Sequence, residues 1–219
     1  MRKRMKWASR IALVAGGVMT LGSAANAAAL LTFAGGTGGL SPGETDYANF
    51  DTTFGTVVQV GGGGIFNGTT PGTAAEPAFG DQGDDYYAVL SGGSATFTFA
   101  TPISQLGFDL GSADDYNSVT LTFVGGATQT FSGAQLNPPG PATGNQVIAG
   151  TNGRVTIVQN DMPAIISARF SSNQNSFEFD NLGIAPLPEP SSWALLIFGF
   201  GAVGYSMRRR KFKYRLQAV

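Results

Sequence analysis

The sequence predicts an all-β protein: an antiparallel β-sandwich, jelly-roll-like, flanked by an N-terminal signal peptide and a C-terminal transmembrane helix. Three observations carry the sandwich. Short runs of alternating apolar residues recur from Ala29 to Ile184, turn-forming Gly, Asn and Asp punctuate them, and no amphipathic helix intervenes. Period-2 alternation in β-branched and aromatic residues is the pattern of a half-buried strand, because successive side chains point to opposite faces of a sheet.

The strand candidates follow in order. ALLTFA from Ala29, TVVQV from Thr56 and YYAVL from Tyr86 are the first three. ATFTFA then places Phe97 and Phe99 on one face, and QLGFDL follows from Gln105. SVTLTFV aligns Val119, Leu121 and Phe123, and TQTF runs from Thr128. RVTIV starts at Arg154, IISARF aligns Ile166, Ala168 and Phe170, and SFEFDNLGI starts at Ser176. In that last run Phe177 and Phe179 point inward and Glu178 and Asp180 outward, while Leu182 breaks the parity, so a bulge or strand end is expected near Asn181. About ten short strands separated by turn signals favour a sandwich over a barrel. Gly61–Asp85 and Gly133–Gln146 are too rich in turn formers for strands and read as long loops. The stretch from Ala28 to Pro190 is long enough for one domain with a sizeable core.

The N-terminus has the three parts of a secretory signal. Met1–Arg10 carries five cations and no acid, an apolar run spans Ile11–Leu21, and small residues at Ala25 and Ala27 form an A-x-A cleavage site. Cleavage is expected after Ala27, with Ala29 as the second choice. The chain is thereby expected to meet the Sec export machinery.

Charge is segregated along the chain. Five of the 13 basic residues precede Ile11 and six follow Met207, leaving Arg154 and Arg169 between, whereas all 14 acids lie between Glu44 and Glu189. The exported body carries two cations against fourteen acids, a formal charge of −12 hidden by its basic ends. Such a surface repels phosphate backbones and attracts cations, so no nucleic-acid partner is expected.

Missing residue types limit the chemistry. The chain has no Cys and no His, and no Lys between Lys6 and Lys211. This removes disulfides, Ser-His-Asp and Cys-His nucleophile systems, Ser-Lys dyads, lysine Schiff bases and the usual zinc, copper and iron ligand sets. A non-enzyme is expected. Carboxylate pairs of the kind glycoside hydrolysis uses remain, but nothing in the sequence sets two at the required separation.

Two acidic triplets are the best material for chemistry in the body. GDQGDDYY offers Asp81, Asp84 and Asp85, GSADDYNS offers Asp114, Asp115 and Asn117, and the last strand adds Asp180 or Glu178. Calcium takes six to eight oxygen ligands, so clustered Asp and Asn with glycine suit a structural calcium site. The spacing does not fit an EF-hand, and solvated turn residues are the plainer reading. Tyr47, Tyr86, Tyr87 and Tyr116 offer stacking faces for a sugar, although the body contains no Trp.

The C-terminal end is the most specific feature. A proline-alternating linker at 185–192 contains Pro188, Glu189 and Pro190 and is followed by Trp193 and Ala194. Residues 193–207 carry no charge, and Arg208, Arg209, Arg210 and Lys211 follow as a stop-transfer cluster. At 1.5 Å per residue this run makes about 22 Å of helix, somewhat short of a roughly 30 Å hydrocarbon core, with snorkelling arginines to close the gap. The divisions expected are therefore a signal peptide at 1–27, an acidic sandwich at 28–184, the linker, a transmembrane helix at 193–207 and a basic cytoplasmic tail at 208–219.

In its order and spacing this tail resembles the PEP-CTERM sorting signal in its PEPxxWA form. The resemblance implies recognition and removal of the signal by an exosortase, an inner-membrane-anchored intermediate, and a product at the cell surface or in the extracellular matrix of an exopolysaccharide-making Gram-negative bacterium. In the body, LGFDLGSADDYNSVTLTF and FSSNQNSFEFDNLGI are similar to segments that recur in ectodomains of such proteins. The expected role is structural or adhesive in an exopolysaccharide envelope. A calcium-dependent carbohydrate-binding module and a permanently anchored periplasmic protein are the alternatives.

Overall fold

In the computed structural model, residues 28–80, 82–137, 140, 142–187 and 190–213 are described. The expected signal peptide and its Ala25 and Ala27 site lie outside them, as do Asp81, Pro188 and Glu189. The described chain forms eleven strands and two helices: β1 (Leu30–Gly35), β2 (Thr45–Ala48), β3 (Val57–Val60), β4 (Gly63–Asn67), β5 (Asp85–Val89), β6 (Gly93–Leu110), β7 (Asn117–Phe123), β8 (Thr128–Ser132), α1 (Gly133–Leu136), β9 (Gly153–Val158), β10 (Ile165–Ser172), β11 (Phe177–Pro186) and α2 (Pro190–Lys213).

Every pairing is antiparallel, and β6 organises the whole. Its first part, Gly93–Thr98, lies between β3 and β10, and its second part, Gln105–Leu110, lies between β9 and β11. One layer therefore reads β3-β6-β10-β7-β8. The other reads β1-β9-β6-β11, with β5 and β4 continuing beyond Phe177–Phe179 and β2 beside Leu182–Ile184. Ala100, Thr101 and Pro102 are exposed where β6 passes from one layer to the other. Pro102 suits the crossing because it has no N–H to offer a ladder.

The core between the layers is aromatic. Phe170 of the first layer stacks on Phe179 of the second at 4.1 Å between ring centroids, and Phe108 meets Phe170 edge-on at 5.1 Å. Phe97 packs against Phe179 at 5.9 Å. Rings at these separations add roughly 0.5–1.5 kcal/mol per pair beyond the apolar area they bury.

All ten expected runs are strands, with four adjustments. ATFTFA and QLGFDL fuse into β6. Gly63–Asn67, assigned to a loop by its glycines, pairs with β5, and β2 is a further strand that four residues of weak alternation did not announce. A register slip between Ile165 and Ser167 puts Ile165 in the core and leaves Ile166 half-buried. The slip expected near Asn181 is present: the β11–β6 ladder shifts between Asp180 and Gly183, and Asn181 has φ +48°.

The C-terminal end also differs from expectation. β11 runs on to Pro186, and α2 extends from Pro190 through Lys213, across the boundaries drawn for linker, span and tail. Among the described residues no helix is long and apolar enough to cross a membrane, which leaves the membrane-spanning assignment of 193–207 without support from the structure. Gly199, Gly201 and Gly204 with Tyr205 and Ser206 dilute the apolar run, and arginines follow at once. The helix is nonetheless bare, with Leu195 78% and Phe198 81% exposed.

Candidate functional site

The outer face of the second layer is polar and yet buried. Arg154 on β9 pairs in register with Asp109 on β6, which pairs in register with Asp180 on β11. Phe108, Leu110, Val155 and Phe179 alternate with them into the core, so the charged row faces outward. It is covered by the segment around Gly39–Glu44 and by the long segment between β4 and β5, which also buries Tyr86 and Ala88 against Ala74 and Phe66. The outward parity of Glu178 and Asp180 was legible in the sequence, but their burial was not, because covering loops leave no periodic trace.

Two carboxylate seats lie under this cover. In the first, Arg154 Nη2 donates to Glu44 Oε2 at 2.5 Å, and Nη1 donates to Asp109 Oδ1 at 3.1 Å and to the Asn181 carbonyl at 2.7 Å. Asp109 Oδ2 accepts from the Gly39 N–H at 2.7 Å and from Asn181 Nδ2 at 3.0 Å. Burial raises the Asp109 carboxyl, while the Gly39 N–H, Arg154 and Asn181 oppose that rise. Gly107 leaves the room this ion pair needs, since a Cβ there would lie 2.2 Å from Glu44 Oε1. Neighbouring Asp180, 3% exposed, is pushed up to about 8, by burial first and then by Asp84, Asp109 and Asp51.

The second seat is a cavity of about 140 Å³ under the loop Thr69–Ala75, lined also by Ser112, Asp114, Tyr116, Ser176 and Glu178. Glu178 is 2% exposed. Its Oε1 accepts from the Ala75 N–H at 2.9 Å and from the Ser176 hydroxyl, whereas its buried Oε2 accepts no hydrogen bond. Ser112 Oγ donates to Asp114 Oδ2 at 3.1 Å, and the Tyr116 hydroxyl donates to the Asn175 carbonyl at 3.2 Å. Burial raises both carboxyls: Ser176 and the Ala75 N–H hold Glu178 back, and Tyr116 and Ser112 hold Asp114 back. Tyr116 is itself raised by burial and then by Asp114.

Of the six acids named as cation candidates, Asp81 lies outside the described residues, and Asp84 is near enough to Asp180 to raise its carboxyl. Asp114 lines this cavity, Asp115 is exposed, Asp85 opens β5 with Asn67 Nδ2 donating to it at 2.9 Å, and Asp180 joins the row beside Asp109. Among the described residues no three acidic side chains converge as a metal-binding group. Glu178, weighed against Asp180 in the sequence, is the acid that meets Asp114. The tyrosines offered as sugar platforms are also placed differently. Tyr86 and Tyr87 are buried, and the Tyr47 ring packs edge-on against Phe99 at 5.2 Å.

The molecule is thus an antiparallel two-layer β protein with a buried ionic outer face and a bare apolar helix at its C-terminal end. Residues 186–211 match the family model of the PEP-CTERM protein-sorting motif, so this chain is a protein with a PEP-CTERM sorting motif. The match contains Pro188, Glu189, Pro190, Trp193, Ala194 and the cluster Arg208–Lys211. No curated protein matches the chain. Among solved structures it is similar to an exo-β-1,3-galactanase from Phanerochaete chrysosporium with galactose, at 16% identity and TM-score 0.34, over 59% of this chain and 29% of that one. A likeness that distant carries nothing about activity.

Proposed function

We propose that this is an exported surface or extracellular-matrix protein, delivered by its signal peptide and sorted by an exosortase-type enzyme that recognises Pro188–Pro190 and removes the segment behind it. The observation that carries the reading is the match at 186–211, which joins the proline motif, the Trp193-Ala194 extension and the arginine cluster in one segment. The structure adds support: α2 leaves its apolar side chains exposed from Leu195 to Met207, so its loss would take no packing from the sandwich.

The body left by such processing is acidic and all-β, which suits a structural or adhesive role in an exopolysaccharide envelope. We read the sandwich as a jelly roll. The order β5-β11-β6-β9 in one layer and β6-β10-β7-β8 in the other supports this, with β6 supplying a strand to each. The scarcity of acid-base and nucleophilic residues supports a non-catalytic body.

The test is a Glu189→Ala, Pro190→Ala double variant expressed in the native host. Its expected outcome is accumulation of uncut chain and loss of the surface or released form. Unchanged processing and fractionation of the variant would reject the sorting reading.

A further inference from the structure

We propose that Glu178 and Asp114 hold a hard divalent cation of calcium type beneath the Thr69–Ala75 loop, and that this ion supplies a positive charge the body cannot. The inference does not rest on the sorting reading.

It begins with the charge inventory. Between Arg10 and Arg208 the chain has two cations, Arg154 and Arg169. Arg154 is committed to Glu44 and Asp109, and Arg169 is exposed on β10, in the other layer. A buried carboxylate without a counter-charge or a full set of donors is among the costliest groups a fold can hold. Glu178 is in that position, since it lines the cavity and its Oε2 is buried with no hydrogen bond, while Asp114 lines the same cavity as a second carboxylate and accepts from Ser112.

The lining sets the class of ligand. Carboxylates, the Ser112, Ser176 and Tyr116 hydroxyls and the loop backbone offer oxygen and no imidazole or thiolate, the donor chemistry of calcium, magnesium or manganese. At about 140 Å³ the cavity is smaller than the roughly 300 Å³ at which pockets for organic ligands begin. It holds a few waters at about 30 Å³ each, room for an ion that keeps part of its hydration. Calcium accepts irregular coordination and neutral oxygens more readily than magnesium, which demands near-ideal octahedra. With two carboxylates the affinity should fall in the weak extracellular class, Kd about 10⁻⁴ to 10⁻³ M.

The ion would tie the loop between β4 and β5 to the start of β11. Glu178 already accepts from Ala75 across that junction, so a cation on its second oxygen extends an existing contact.

The test uses the full chain in mild detergent after EDTA treatment, with calorimetric titration of CaCl₂ and thermal unfolding. The expected result is one ion per chain and a Tm raised by about 3–6 °C in 5 mM calcium. Glu178→Gln keeps the shape and the Ala75 and Ser176 bonds. With its fold verified by near-UV circular dichroism, it should weaken binding at least tenfold and lose the Tm shift. Asp114→Asn should weaken binding, and Asp180→Asn should leave it intact. Absence of both heat and Tm shift at 10 mM calcium in the unmutated chain overturns the proposal. So does calcium binding that survives in Glu178→Gln or disappears in Asp180→Asn, because either result puts the ion elsewhere.

Discussion

Two buried acidic seats lie on one sheet face, and they are neutralised differently. At Asp109 and Glu44 the fold places the one buried arginine among the described residues, with both carboxylates within 3.1 Å of the guanidinium. At Glu178 and Asp114 it places hydroxyls and one amide N–H, and Glu178 Oε2 receives nothing. The difference teaches how a chain whose residues 28–190 hold two cations and fourteen acids distributes charge. One seat is closed by an arginine of the chain itself, and the other is left to a proton or to an ion from outside.

The largest effect expected is at the closed seat. Arg154→Met removes the only cation facing Asp109 and Glu44 and leaves both buried, so urea unfolding should show a loss of about 3–5 kcal/mol, the usual cost of breaking one partner out of a buried pair. A loss under about 1 kcal/mol would mean that the seat admits water and that the contrast between the two is false.

Next is the room beneath that ion pair. Gly107→Ala puts a methyl 2.2 Å from Glu44 Oε1, in contact with a group that is pinned by Arg154 and Gln105, and should cost about 1–3 kcal/mol in the same measurement. A neutral result would show that Glu44 moves freely.

The pH dependence sharpens the comparison from the other side. Asp180 binds its proton more tightly in the folded chain, at about 8, than at its ordinary 3.8. The folded state therefore carries more protons between pH 4 and 8, and in EDTA its stability should fall as pH rises through that window. Asp180→Asn should remove part of the fall, stabilising the chain by about 1–2 kcal/mol at pH 8 and leaving it unchanged at pH 4. Stability that rises from pH 4 to 8 would contradict this assignment of the proton. The smallest effect belongs to Asp115, the exposed neighbour of Asp114. Asp115→Asn should shift unfolding by less than about 0.5 kcal/mol, since surface substitutions away from special features do little.

What the sequence disclosed divides along the same line. Alternation in Phe97, Val119, Phe170 and Phe179 announced the core, because period 2 is imposed by the pleat itself. The same alternation put Glu178 and Asp180 on the outer face. It did not disclose that loops cover them, nor that Asp114 would line one cavity with Glu178, since these contacts join residues far apart in the chain. The glycines of β4 hid a strand because their pairing with β5 needs no side chain. The sorting motif was legible because it is read as linear sequence, with no fold between the residues and their pattern.

The measurement that bears most directly on the protein's role is the intact mass of the mature chain purified from its native host, taken together with its cell fraction. Exosortase sorting predicts a surface or released species that lacks residues 1–27 and ends near Pro188–Pro190, with any added mass marking an attachment. A membrane-fraction species that retains Trp193 through Val219 would contradict it.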